Sequence, residues 1–119
     1  GEMQLLSIAR ALAMNARLII MDGVEVFTDG GPGTGKKAEA GVFVGGTDRV
    51  AVDAVGVAIL KMLGSNDAIM NTKIFDQEQI QRAAELGIGI DGPGQIEIAA
   101  SDAAGREFAD KVRTILAQG

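Results

Sequence analysis

The sequence contains no cysteine and no histidine. From its own residues it can therefore form no disulfide, offer no thiolate nucleophile and build no Ser-His-Asp or Cys-His relay. Ordinary zinc sites and thiolate-ligated iron–sulfur clusters are excluded on the same ground. A metal held by this chain alone would be a hard, oxygen-ligated ion such as Mg²⁺ or Ca²⁺. Trp and Tyr are also absent and Phe numbers four, so the core must be aliphatic. Bases of a single-stranded nucleic acid would find no aromatic platform to stack on. Positive charge is in deficit: 11 Lys and Arg against 16 Asp and Glu give a net charge of −5. With no basic stripe to neutralise phosphates, nucleic acid is not an expected partner. No run of about 18 apolar residues and no signal-peptide pattern occur, so no membrane partner is expected and the chain reads as cytoplasmic.

What remains is an ordinary globular composition, 119 residues with 47 % apolar, enough for one domain with a modest core. The opening Gly1-Glu2 reads as the start of a piece of a larger protein. Leu5, Ile8, Ala9 and Leu12 recur at helical spacing and predict an amphipathic helix over 2–14. Leu18-Ile19-Ile20-Met21 predicts a short buried strand ending at an Asp22-Gly23 turn, with 24–28 able to continue extended. A glycine-rich loop follows over 29–40, then a second strand at Val42-Phe43-Val44. Thr47 or Asp48 caps a long apolar helix that runs to Leu63 and stops at Gly64. Asp76, with Gln79 three residues on and a Phe75–Ile80 staple, predicts a helix ending near Leu86. Gln95–Ala99 reads as a strand with Ile96 and Ile98 on one face. A last helix from Ala103 places Ala104, Phe108, Val112, Ile115 and Leu116 on its core stripe. This order predicts a single α/β domain over 1–119, a layered sheet of three to four strands with helices packed on it.

Within the glycine-rich stretch, Gly30-Gly31-Pro32-Gly33-Thr34-Gly35-Lys36-Lys37 is close to a phosphate-binding P-loop, Gly-x-x-x-x-Gly-Lys-Ser/Thr. Gly30, Gly35 and Lys36 fit, but Lys37 stands where the Mg²⁺-binding hydroxyl belongs. The residues after it have strand character, whereas a P-loop opens a helix. Gly30, Gly31, Gly33, Gly35 and Lys36 are anion-binding candidates through backbone amides and the Lys36 ammonium; the alternative is a solvated hairpin loop.

Two family resemblances follow. Leu18-Ile19-Ile20-Met21-Asp22-Gly23, Asp29-Gly30-Gly31-Pro32, Gly45-Gly46-Thr47-Asp48-Arg49-Val50-Ala51-Val52-Asp53 and Ala83-Ala84-Glu85-Leu86-Gly87-Ile88-Gly89 stand in the order found in the domain-of-unknown-function 362 family. Over residues 18–119 the chain resembles the carboxyl-terminal part of that family, whose members are often labelled iron–sulfur cluster-binding proteins. The resemblance implies a cluster only if another segment supplies the cysteines. Residues 1–22 also resemble the signature-to-Walker-B segment of ABC-transporter ATPases, through Gly1-Glu2-Met3-Gln4, Ile8-Ala9-Arg10-Ala11-Leu12 and Leu18-Ile19-Ile20-Met21-Asp22. They depart from it at Gly23, where the catalytic Glu belongs.

Three carboxylates are site candidates. Asp22 ends a strand, where α/β sheets gather ligands, and can equally serve its own turn. Asp48 either caps the long helix or meets a ligand. Asp53 sits inside an apolar helix, where a carboxylate costs several kcal/mol unless paired; Arg49, four residues earlier, is the structural partner. Asp22 and Asp53 are the metal-ligand candidates, for Mg²⁺. The reading that unites these residues is one wall of a small-molecule or metal site, completed by an amino-terminal part of the protein or by a homo-oligomer. Two alternatives stand beside it: a nucleotide-binding or ATPase module using Gly30–Lys36, and a non-enzymatic assembly domain.

Overall fold

A computed structural model describes residues 17–119. The helix expected over 2–14 lies outside the described residues. The architecture is α/β: a hairpin of two long antiparallel strands, four helices and two single 3-10 turns. Strand β1 (Ile19–Gly30) pairs with β2 (Gly35–Gly46), from Ile19 opposite Gly46 to Gly30 opposite Gly35. Helix α1 (Arg49–Leu63) packs on one face of the hairpin, followed by the one-turn α2 (Asp67–Met70), α3 (Glu78–Glu85) and α4 (Ala103–Ala117).

The expected loop over 29–40 contracts to a turn at 31–34, closed by the Gly31 N–H donating to the Thr34 carbonyl at 2.7 Å. Gly30 and Gly31 adopt φ of 73° and 97°, a region glycine enters without steric cost. Residues 35–40, Gly-Lys-Lys-Ala-Glu-Ala, carry little strand propensity of their own. Pairing with β1 makes them a strand, reinforced by Lys37 bonding Glu25 at 2.8 Å and lying 5.2 Å from the Phe27 ring centroid. The far end of the hairpin is pinned to the turn after α1. The Ser65 hydroxyl donates to the Thr28 carbonyl, and Asn66 donates to Asp29 at 3.4 Å.

Helix α1 is central, with buried side chains around most of its circumference, including Val50, Val52, Ala54, Val57 and Ile59. Its N-cap is Asp48 and its stop is Gly64 at φ 81°. Gly56 lets it approach β1, since a Cβ there would stand 3.0 Å from the Met21 sulfur. Helix α3 starts one residue later than expected. Asp76 belongs to a 3-10 turn (Ile74–Asp76) and Gln77 takes the N-cap position, so the Phe75–Ile80 staple does not form in that register. Gln77 is buried because its amide donates to the Ile69 and Thr72 carbonyls. On α4 the buried stripe is Ala109, Val112 and Leu116; Ala104 is exposed.

Among the described residues the sheet has two strands, where three to four are expected from the sequence. The expected strand at 95–99 alternates as foreseen, with Ile96 and Ile98 half-buried and Glu97 and Ala99 exposed. It has no neighbour to pair with among the described residues, and its first residue is taken up in a 3-10 turn (Pro93–Gln95).

Candidate binding site

An open cleft of about 450 Å³ lies between the hairpin and the extended segment 95–100. Its floor is apolar, formed by Val52, Val55 and Ile59 of α1 with Phe108 and Val112 of α4. One wall is β2 over 42–46 and the opposite wall is 95–100. Asp48 stands at one end, and Gln95 and Glu97 contribute polar groups along the wall. The sequence marks 95–99 as a strand but does not place it beside a site; the alternation of Ile96 and Ile98 is the local signal it carries.

Of the predicted site residues, Asp48 alone lines this cleft, and it is committed to structure. One carboxylate oxygen accepts the Ala51 N–H at 2.8 Å, the cap of α1, and the other accepts the Ile90 N–H at 3.1 Å. The second bond holds the 88–90 segment against the helix start, where Gly89 leaves no room for a side chain: a Cβ would stand 2.6 Å from Val50 Cγ2. We expect Asp48→Ala to lose about 1–3 kcal/mol of stability, from a lost cap and an orphaned amide. Asp48→Asn should recover part of this in urea unfolding.

Asp53 is 6 % exposed, and burial pushes its carboxyl up from 3.8 to about 7. Desolvation disfavours the charged form and outweighs a smaller opposing electrostatic attraction. The expected pair with Arg49 does not form: Asp53 Oδ2 and Arg49 Nε are both buried without a hydrogen-bond partner. Asp53 does not line the cleft.

Asp22 is not at a strand end, because β1 continues through it to Gly30. It is exposed opposite Phe43 and accepts the Val24 N–H at 3.0 Å. Met21, its neighbour of opposite facing, meets α1, so the sheet stands between Asp22 and the helix that carries Asp53. The two metal candidates are not brought together. Among the described residues no group of three or more acidic side chains could hold a metal ion. With no cysteine in the chain, its residues also do not fit an iron–sulfur cluster.

The Gly30–Lys36 stretch closes the hairpin, and Lys36 and Lys37 lie in β2. A P-loop delivers phosphate to the first turn of a helix; here the strand runs on to Gly46, which removes the helix that the nucleotide-binding alternative needs. Gly30, Gly31, Gly33, Gly35 and Lys36 are all exposed at this tip. The tip does not line the cleft.

Among the described residues no helix is long and apolar enough to cross a membrane. No curated protein and no solved structure gives a match to the chain, and nothing in the comparisons supports the ABC-ATPase resemblance of residues 1–22. That segment falls inside a match that runs on through the hairpin into α1, earlier in the chain than the 18–119 stretch read from the sequence. Residues 2–58 match the family described as Domain of unknown function (DUF362), which supports the family resemblance drawn from the sequence.

Proposed function

We propose that this chain is a binding wall whose site is the cleft between β2 and residues 95–100, completed by further polypeptide outside this chain. One observation carries the reading: an open, apolar-floored cleft of about 450 Å³ in which Asp48 is already engaged. That volume falls within the roughly 300–1,000 Å³ of ligand sites, which are mostly apolar with a few oriented polar groups. Both oxygens of Asp48 already hold backbone amides, so the part we assign to the described residues of the cleft is to bind and position. Chemistry, where there is any, comes from the completing part.

The test uses the neutral solvatochromic dye Nile red. Its emission should rise on mixing with the chain. Ala51→Trp, which puts an indole into the cleft, should cut that rise at least fivefold. Ile20→Lys, on the outer face of the hairpin, should leave most of it. Equal emission from Ala51→Trp and the unsubstituted chain would sink the reading.

A second reading is favoured by that outer face, where Leu18, Ile20 and Phe43 are 61 %, 66 % and 68 % exposed. Apolar groups so placed on one sheet face mark assembly through it. Light scattering would then show self-association that Ile20→Lys abolishes; a strict monomer at millimolar concentration would exclude it.

A further inference from the structure

The shape of the cleft says more than its volume. Five consecutive residues of β2, Val42 to Gly46, line one wall. Successive strand residues point to opposite faces, so a continuous run can line a cavity only where the edge of the strand faces it. Among the described residues this is the free edge of β2, since its other edge pairs with β1. The opposite wall is also a continuous run, Gln95 to Ala100. There Ile96 has extended φ and ψ of −93° and 121°, and exposure alternates along the segment. The Ile98 carbonyl accepts from Arg113, which does not line the cleft. In an extended chain the neighbouring residues turn their backbone groups to the other edge, which leaves Glu97 and Ala99 for the cleft side. No hydrogen bond among the described residues reaches the N–H groups of those two.

We propose that the cleft accepts an extended peptide strand, which pairs with β2 on one side and with residues 95–100 on the other and so completes a four-stranded layer over α1 and α4. The inference rests on the cleft reading above and names its occupant. Two facing backbone edges with open pairing groups suit a strand, which supplies a ladder on both sides. A small apolar molecule would leave both ladders unmade. Alternate side chains of the inserted strand would point down onto Val52, Val55, Phe108 and Val112. Those pointing outward would lie beside Glu97, and Asp48 is the other charged group at the cleft. Both are acidic, so the partner strand is apolar on one face and basic or neutral on the other, never acidic.

The probe is the peptide acetyl-KVTVKVT-amide, added to the ¹⁵N-labelled chain, together with the same peptide N-methylated at alternate residues. The first should slow hydrogen exchange at Glu97, Ala99 and the free-edge amides of 42–46 at least tenfold. N-methylation on the pairing side should weaken binding at least tenfold. Ala99→Pro, which removes one open N–H, should weaken the peptide similarly while Nile red binding persists. Nile red binding without any response to the peptide would overturn the strand and leave the cleft to a small molecule. A chain that is already dimeric, with these amides protected before peptide is added, would assign the slot to a second copy and overturn it too. Failure of both probes would remove the cleft reading and the inference together.

Discussion

Asp53→Asn should make the chain more stable at pH 8 and leave it nearly unchanged at pH 4. The carboxyl is raised from 3.8 to about 7 by burial, with no hydrogen bond to Oδ2. Between those values the folded chain keeps a proton that the unfolded chain has released. Stability therefore falls as pH rises across this window, by about 1.4 kcal/mol per pH unit and up to about 4 kcal/mol in all. The contribution of the protonated carboxyl is fully present below about 4 and gone above about 7. An amide keeps the shape and stays uncharged, so the variant should show no such slope. Urea unfolding at pH 4, 6 and 8 reads both. A constant difference between the two proteins at every pH would mean that Asp53 does not titrate in this window. Arg49→Met is the companion test: if the guanidinium gives Asp53 no support, as the missing bond indicates, the slope should survive.

The second large effect is expected at Ile80. It is fully buried, and on α3 only Ile80 and Ala83 are buried. An eight-residue helix is marginal in water without such anchoring. Ile80→Ala leaves a cavity in the core cluster that also holds Val57 and Ile74, at a cost of about 2–5 kcal/mol. The loss should be visible as a lower urea midpoint and as faster hydrogen exchange in α3. Ile80→Val, which removes one methylene, should cost about 1 kcal/mol. Equal losses from the two would show that the site collapses around the smaller side chains.

Legibility from sequence followed how local each signal was. The long helix is legible almost to the residue, because its cap, apolar run and glycine stop are all short-range: Asp48 bonds Ala51, and Gly64 takes a left-handed φ. The hairpin was half-read. Its apolar ends were plain, but Lys36, Lys37 and Glu39 concealed a strand that exists through its pairing with β1. The strand end expected at Asp22 is absent for the same reason, since β1 continues through it to Gly30. For Asp48 the sequence leaves a cap and a ligand group both open, and its second bond to Ile90, 42 residues away, is not visible from any local pattern.

The sequence by itself determined which side chains are missing and, among the described residues, the helices α1, α3 and α4; the one-turn α2 was not foreseen. Composition decides which ligands and nucleophiles exist at all, and helix signals act within four or five residues. Only the tertiary structure decided which carboxylates meet, that Asp53 lacks Arg49, and that residues 95–99 are extended yet unpaired. Sheet pairing, burial and the cleft depend on which segments lie side by side, and that is set by packing over long sequence separations rather than by any one stretch of residues.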